Sequence, residues 1–329
     1  MRPEYEFLAD SFSFRSKHKP MYRFCLPFAC LLPLLLFACQ PPIPAGVQTV
    51  RVQFMQPQDT GAETQLQQTL MKRLDAFYPH PSRVSKVGEN DFQIEIAGQI
   101  GETALNRLLS TPGKLFFAAT YPGPEAMQSL KGAGLLDSLA ARLQLFDFNL
   151  GGDVKRPLIA YASYGDTASI MNELKRAHLL GIIPDDLAFS WSQVPQINPE
   201  NQKIFFELFA IQKPDGKYVG VDGAQIQSVQ AEQSQYTLHW DLNMRFDEKG
   251  TQEWAKMTEE RVGDYIAMLI DGKAWSVPRV NSPITGGQTM LSAQFDEDFA
   301  RLWAAILGGG ELPAPLTITS ILFDQNARY

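Results

Sequence analysis

Val262-Gly263-Asp264-Tyr265-Ile266-Ala267-Met268-Leu269-Ile270-Asp271-Gly272-Lys273-Ala274-Trp275-Ser276-Val277-Pro278 runs through Ile284-Thr285-Gly286-Gly287 and Phe295 to Gly308-Gly309-Gly310-Glu311-Leu312-Pro313-Ala314-Pro315. Asp271-Gly272 separates two apolar runs, and a two-residue turn there needs positive φ at both positions, which Asp and Gly tolerate best. A hairpin is predicted around that pair. Gly286-Gly287 then turns the chain back, and Phe299, Leu302, Trp303 and Ile306 recur at helical spacing, with Asp296 placed to cap the first turn. Three glycines end this helix, and Pro313 and Pro315 keep it from resuming.

Working outward, Thr49 to Phe54 alternates as a strand, and Leu66, Leu70, Leu74 and Phe77 follow a helical repeat. Phe92, Ile94 and Ile96 mark a second strand. Glu102 to Leu109 reads as a helix stopped by Pro112-Gly113, and Lys114 to Thr120 as a third strand. This β-α-β-α-β run lacks one helix and one strand of a split βαβ layer, which Asp296 to Leu307 and Leu316 to Phe323 supply. The expected fold class is therefore α+β: a ferredoxin-like base from residues 49–120 plus 294–329, with a large α+β head inserted at 121–293. Within the insert the pattern predicts helices over Leu130 to Leu145, Thr167 to Leu180 and Gly250 to Arg261. Strands are expected over Pro157 to Tyr164, Ile204 to Ile211 and Tyr236 to Phe246, with a turn at Lys213-Pro214-Asp215-Gly216.

With 329 residues, 45% of them hydrophobic and 20% charged, the chain is large enough for two cores. Beyond residue 38 it carries 24 basic against 33 acidic residues, the wrong balance for neutralising nucleic-acid phosphates. The apolar segment from Phe24 to Ala38 holds 15 residues and two prolines, short of the roughly 20 that a spanning helix needs. Arg15, Lys17, Lys19 and Arg23 precede it, as in an export signal, so residues 1–38 are read as a signal peptide. Met1 and Met21 both remain open as its start. Leu36-Phe37-Ala38-Cys39-Gln40 resembles the bacterial lipobox, which makes Cys39 the expected acylation site, the alternative being simple cleavage near Ala38. Residues 39–48 then form a proline-rich tether from lipid to fold. Cys25 and Cys30 fall inside the signal, which leaves the mature chain no disulfide.

No catalytic constellation stands out, so an enzyme is not predicted and no metal or other cofactor is implied. His80, His178 and His239 lie far apart without ligand spacing. Asp296, Glu297 and Asp298 suit a helix start, and Asp185-Asp186 after Pro184 suits a turn. The tryptophans read first as core. Exposed in the insert, Trp191, Trp240 and Trp275 would instead be candidate contacts for apolar polypeptide.

With those residues in view, the second half resembles the first periplasmic domain of SecD, the accessory subunit of the bacterial Sec export machinery. Gly250, Trp254, Thr258, Val262-Gly263, Asp271-Gly272, Pro278, Ile284, Gly286-Gly287, Phe295 and the Leu307 to Pro315 element carry the resemblance. Upstream, Ala160-Tyr161, Asp166-Thr167, Pro184 to Trp191 and Phe206 to Ile211 look like the longer head of fused SecDF proteins of Bacteroidetes type. The family has a ferredoxin-like base and a mobile inserted head, so the resemblance implies hinge or turn roles for Asp271, Gly272, Gly286 and Gly287. Ala293 stands where the family has a glycine. The family continues past its Leu-Pro-Ala-Pro element into membrane helices without counterpart in this sequence, so its transport cycle is not carried over. What the resemblance implies is a lipid-anchored, periplasm-facing module of the cell envelope that binds unfolded or translocating polypeptide, with Sec translocon components as partners. An envelope lipoprotein serving one structural or assembly partner is the alternative.

Overall fold

The computed structural model describes residues 44–148, 153–198, 202–235 and 237–329. Cys39 and the proposed signal segment lie outside the described residues, as does Tyr236. The elements run β1 (Val47–Phe54), α1 (Thr60–Phe77), β2 (Ser82–Gly88), β3 (Asp91–Ala97), α2 (Glu102–Ser110) and β4 (Leu115–Ala119). Next come α3 (Gly123–Gly132), α4 (Leu135–Leu139), β5 (Gln144–Leu145), β6 (Leu158–Ala162), α5 (Tyr164–Leu179), β7 (Leu187–Trp191), β8 (Gln196–Ile197) and β9 (Ile204–Gln212). The chain closes with β10 (Gly220–Asp222), β11 (Ile226–Gln233), β12 (Trp240–Phe246), α6 (Glu248–Glu260), β13 (Ile266–Ile270), β14 (Lys273–Ser276), β15 (Gln288–Phe295), α7 (Glu297–Gly309) and β16 (Leu316–Asp324).

The fold is mixed α+β, and its base is a sheet of order β16-β1-β3-β2, the arrangement of a split βαβ layer. Here the structure corrects the expected strands. Ser82–Gly88, too polar on both faces to show alternation, is an edge strand that pairs with β3, and it completes the layer. Leu115–Ala119, expected in the base, lies instead in a second sheet of order β10-β4-β13-β14. It is buried on both faces there, which a continuous apolar run permits and alternation does not require. β11, β12 and β15 form a third sheet, and β5, β6, β9 and β7 a fourth with β8 attached to β9. The helix expected over 130–145 begins earlier, at Gly123, and breaks at Ala133-Gly134, where Gly134 takes φ +68°. The strand expected from residue 236 starts at Trp240, after an exposed Leu238.

The hairpin and the helix stop follow the sequence closely. Asp271 (φ +51°) and Gly272 (φ +77°) both sit in the left-handed region between β13 and β14. Asp296 caps α7, its Oδ1 accepting from Phe299 N at 2.8 Å, and Gly310 leaves the helix at φ +92°. One large core joins base helices and sheet to β4 and β10–β15, a second fills the lobe of α3–α5 and β5–β9, and a small third cluster lies between them.

A buried cation fastens the base to the rest. Arg73 lies on the apolar stripe of α1 beside Leu66, Leu70 and Leu74 and is fully buried. Its Nη1 donates to Leu108 O (2.9 Å) and Thr111 O (2.7 Å) beyond the end of α2, and its Nη2 to Pro112 O (2.8 Å) and to Gly310 O (2.7 Å) beyond the end of α7. Helix C-termini concentrate unpaired carbonyls and negative dipole, so a guanidinium fork is well matched to them; of the four acceptors, Pro112 O also accepts from Leu312 N at 2.9 Å. Burial lowers its pKa to about 10, opposed by the nearby Asp271 carboxylate, and it stays charged at neutral pH. Glycine is needed at Gly113 because φ is +75° and a Cβ would meet Arg73 Nη2 at 2.7 Å. Asp271 completes the joint: its carboxylate accepts from Lys114 N (2.8 Å) and Gly113 N (3.3 Å).

Arg73→Met keeps the stem and deletes the fork. Each buried carbonyl left without a donor costs about 1–3 kcal/mol, so a loss of about 3 kcal/mol or more is expected in urea unfolding followed by circular dichroism, and a loss below about 1 kcal/mol would contradict the assignment. Asp271→Ala should cost about 1–3 kcal/mol, since alanine is strained at positive φ and leaves two amides without their acceptor. Asp271→Asn, tolerant of that φ, should lose less in the same titration.

Candidate functional site

An open cleft of about 360 Å³, lined largely by apolar side chains, lies between β13, α6 and β15. Phe117 of β4 and Trp254 line it with their rings 5.0 Å apart, and Phe246, outside the lining, packs against them at 5.3 Å and 5.5 Å. Ile266 and Met268 form one wall, and Ile284 and Met290 contribute to the other. The loop that carries Ile284 is pinned by Thr258, whose buried hydroxyl donates to Trp254 O (2.9 Å) and accepts from Ile284 N (2.9 Å). Gly287, at φ +63°, turns that loop into β15, and its carbonyl accepts from Phe246 N at 2.9 Å. Gly286 is exposed, with open space where a side chain would project.

β15 rims the cleft. Among the described residues it pairs with β12 on one side only, and it buries Leu291 and Phe295 and leaves Met290 53% exposed. Its sequence, Gln288-Thr289-Met290-Leu291-Ser292-Ala293-Gln294-Phe295, contains no charge and no proline. Sheet edges are ordinarily guarded by one or the other, so this edge is open to a further strand.

Polar groups close one end of the cleft. Arg279 donates through Nε to Gly263 O (3.1 Å) and lies 3.4 Å from Asp153 Oδ2. Tyr265 OH donates to that carboxylate at 3.2 Å, and Lys155 Nζ meets Asp264 Oδ1 at 2.5 Å. The Lys155 backbone N–H is the main influence that holds the Asp153 carboxyl below its usual range, with the Tyr265 hydroxyl and the two cations adding to it. Burial, then the Asp153 charge, pushes the Tyr265 phenol up. The cluster can fix the cleft's end by charge; it brings no nucleophile to a base.

The tryptophans singled out as polypeptide contacts are placed otherwise. Trp191 is buried in the second core, its Nε1 donating to Thr167 O at 3.1 Å. Trp275 is buried in T-shaped contact with Trp303 at 4.5 Å, beside Phe295 and Phe299. Trp240 is half-buried, its ring covered by the Arg301 guanidinium at 5.5 Å. Trp191 and Trp275 are thus buried in separate parts of the fold, and Trp240 alone of the three keeps partial exposure. Asp271 and Gly272 sit at the junction described above, and Gly272 also accepts through its carbonyl from Ser190 Oγ of the second lobe at 2.9 Å. Sequence reading missed Met290 and its strand, because Leu291 and Phe295 are its only deeply buried positions and the glycines before it read as loop.

Residues 211–314 match the family model described as SecDF, P1 head subdomain. Protein translocase subunit SecD of Acetobacter pasteurianus is 35% identical over 101 residues, covering 31% of this chain and 19% of that protein. SecD of Synechocystis sp. is 23% identical over 253 residues, covering 75% of this chain and 45% of that protein. The chain thus spans less than half the length of these curated relatives. A crystal structure of SecDF in a super-membrane-facing form aligns with 87% of this chain and 32% of its own, at 16% identity and a TM-score of 0.52, which marks a shared fold. Over residues 211–314, which hold β15 and every residue lining the cleft except Phe117, this chain is similar to the P1 head subdomain of SecDF.

Proposed function

We propose that this chain is a non-catalytic module of bacterial protein export that holds unfolded or translocating polypeptide outside the membrane, in company with the Sec translocon. The observation that carries the reading is the uncharged, open edge of β15 beside an apolar cleft, within the segment similar to the SecDF head. Strand addition draws affinity from main-chain hydrogen bonds, so it accepts many sequences, and the cleft takes up apolar side chains at alternate positions. The relatives named as protein translocase subunits support the export setting. The lipobox-like Leu36 to Gln40 stretch supports anchorage through Cys39, with the fold facing the periplasm on a proline-rich tether.

A second reading, one dedicated envelope partner, is favoured by a rigid apolar tip after α5. Leu179, Leu180 and Ile182 are exposed there, and main-chain bonds from Leu180, Gly181 and Ile182 to Arg176 O, His178 O and Ala177 O hold the tip in shape.

A photo-reactive residue at Met290, in cells exporting a labelled precursor, should capture that precursor. A parallel one at Leu179 should not. Capture of one abundant envelope protein from Leu179, with nothing from Met290, would reverse the order of the two readings. For the anchor, Cys39→Ala should move the protein from the membrane to the soluble fraction on cell fractionation. Retention of the variant in the membrane would exclude acylation as the attachment.

A further inference from the structure

We propose that two copies of this chain pair edge to edge through β16, joining their base sheets about a two-fold axis at Thr319. Of the two edges of the base sheet, β2 carries Arg83 and Lys86, charges that discourage a further strand. β16 carries one charge, Asp324, at its last position, and none before it. Leu316-Thr317-Ile318-Thr319-Ser320-Ile321-Leu322-Phe323 contains neither charge nor proline and is rich in β-branched residues.

The register decides which groups the edge offers. Phe54 stands opposite Leu316, and Met55 N donates to Pro315 O at 3.1 Å. The Thr319 hydroxyl donates to Arg51 O, which keeps the same register further along. Main-chain groups alternate sides in an antiparallel ladder, so those of Thr317, Thr319 and Ile321 face β1. Those of Leu316, Ile318, Ser320 and Leu322 face the open side.

A second copy fits this edge better than an arbitrary strand does. With the axis at Thr319, Leu316 pairs with Leu322 of the other copy and Ile318 with Ser320, so every outward residue of the run finds a partner and each pair exchanges both main-chain bonds. The side chains agree. Leu316 and Ile318 join the main core, whereas Leu322, on the same face of the strand, is 66% exposed. The pairing brings Leu322 beside the buried Leu316 end of the other copy, so each core covers the leucine that the other leaves in solvent. No charge within the run is set against its like.

The geometry also supplies a crosslink. Thr319 faces its own counterpart as a non-hydrogen-bonded pair, with Cα atoms about 4.5 Å apart, within disulfide reach. Thr319→Cys in the full-length chain, oxidised in the membrane fraction and run on a non-reducing gel, should give at least tenfold more dimer than the wild type with its own cysteines. Thr317→Cys, which faces Ile321 of the other copy, should stay near the wild-type level. Adding Ser320→Pro to Thr319→Cys removes an outward N–H without touching the ladder to β1, and should return the dimer to background with the thermal melt unchanged. Where the proline lowers the melt, Ser320→Lys makes the same test by setting two like charges beside the axis. Dimer no greater than wild type in Thr319→Cys, or a dimer insensitive to both Ser320 substitutions, would overturn the proposal.

Discussion

The guanidinium of Arg73 is where this fold is joined. Two helix C-termini from distant parts of the chain, α2 and α7, end against one side chain of α1, and four carbonyls meet the donors of a single fork. Removing such a group from water is costly, and four charge-assisted bonds to carbonyls at or just beyond two helix ends offset that cost. The surrounding sequence follows from this demand. Gly113 and Gly309 leave room against the Arg73 stem and fork, the turn at Pro112 presents its carbonyl, and Asp271 brings a compensating charge from the hairpin.

What the sequence made legible, and what it hid, divides by whether a signal was local. The Asp271-Gly272 turn, the Asp296 cap and the helix stop after Leu307 depend on φ preferences and nearest neighbours, and all are found as read. β4 was legible as a strand but not as a member of a sheet, because pairing with β13 is a contact across some 150 residues that alternation cannot report. β2 and β15 went unread since edge strands bury too few side chains to show a period. Arg73, on the helical face of Leu66, Leu70, Leu74 and Phe77, drew no reading from the sequence. Its meaning depended on α7, more than two hundred positions away.

The candidate site was missed for a related reason. Tryptophans were weighed as contacts because a large apolar ring is the obvious means of holding an apolar segment, yet Trp191, Trp254, Trp275 and Trp303 are all buried. What remains at the surface is less conspicuous: a methionine, an uncharged strand and an open row of main-chain groups. On the proposed reading of a module that accepts many sequences, this is the better chemistry, since backbone groups are common to every polypeptide and methionine adapts its shape.

The same joint constrains how the parts can move. The hairpin tip is held by the base through two amides that donate to Asp271, and by the second lobe through Ser190 and through Gln193 N, which donates to Ala274 O at 2.8 Å. Displacing the lobe there would strip main-chain groups of partners that buried surroundings do not replace. At the cleft's end, Asp153, Lys155, Asp264 and Arg279 form a partly solvated cluster, where each pair is worth at most about 1 kcal/mol and water substitutes readily. Motion between the lobe and the cleft therefore costs least at the ionic cluster, with the Asp271-Gly272 turn as the fixed point. Opening there would leave the base intact, because the bonds at Asp271 and Gly272 tie the hairpin tip to the base on one side and to the second lobe on the other.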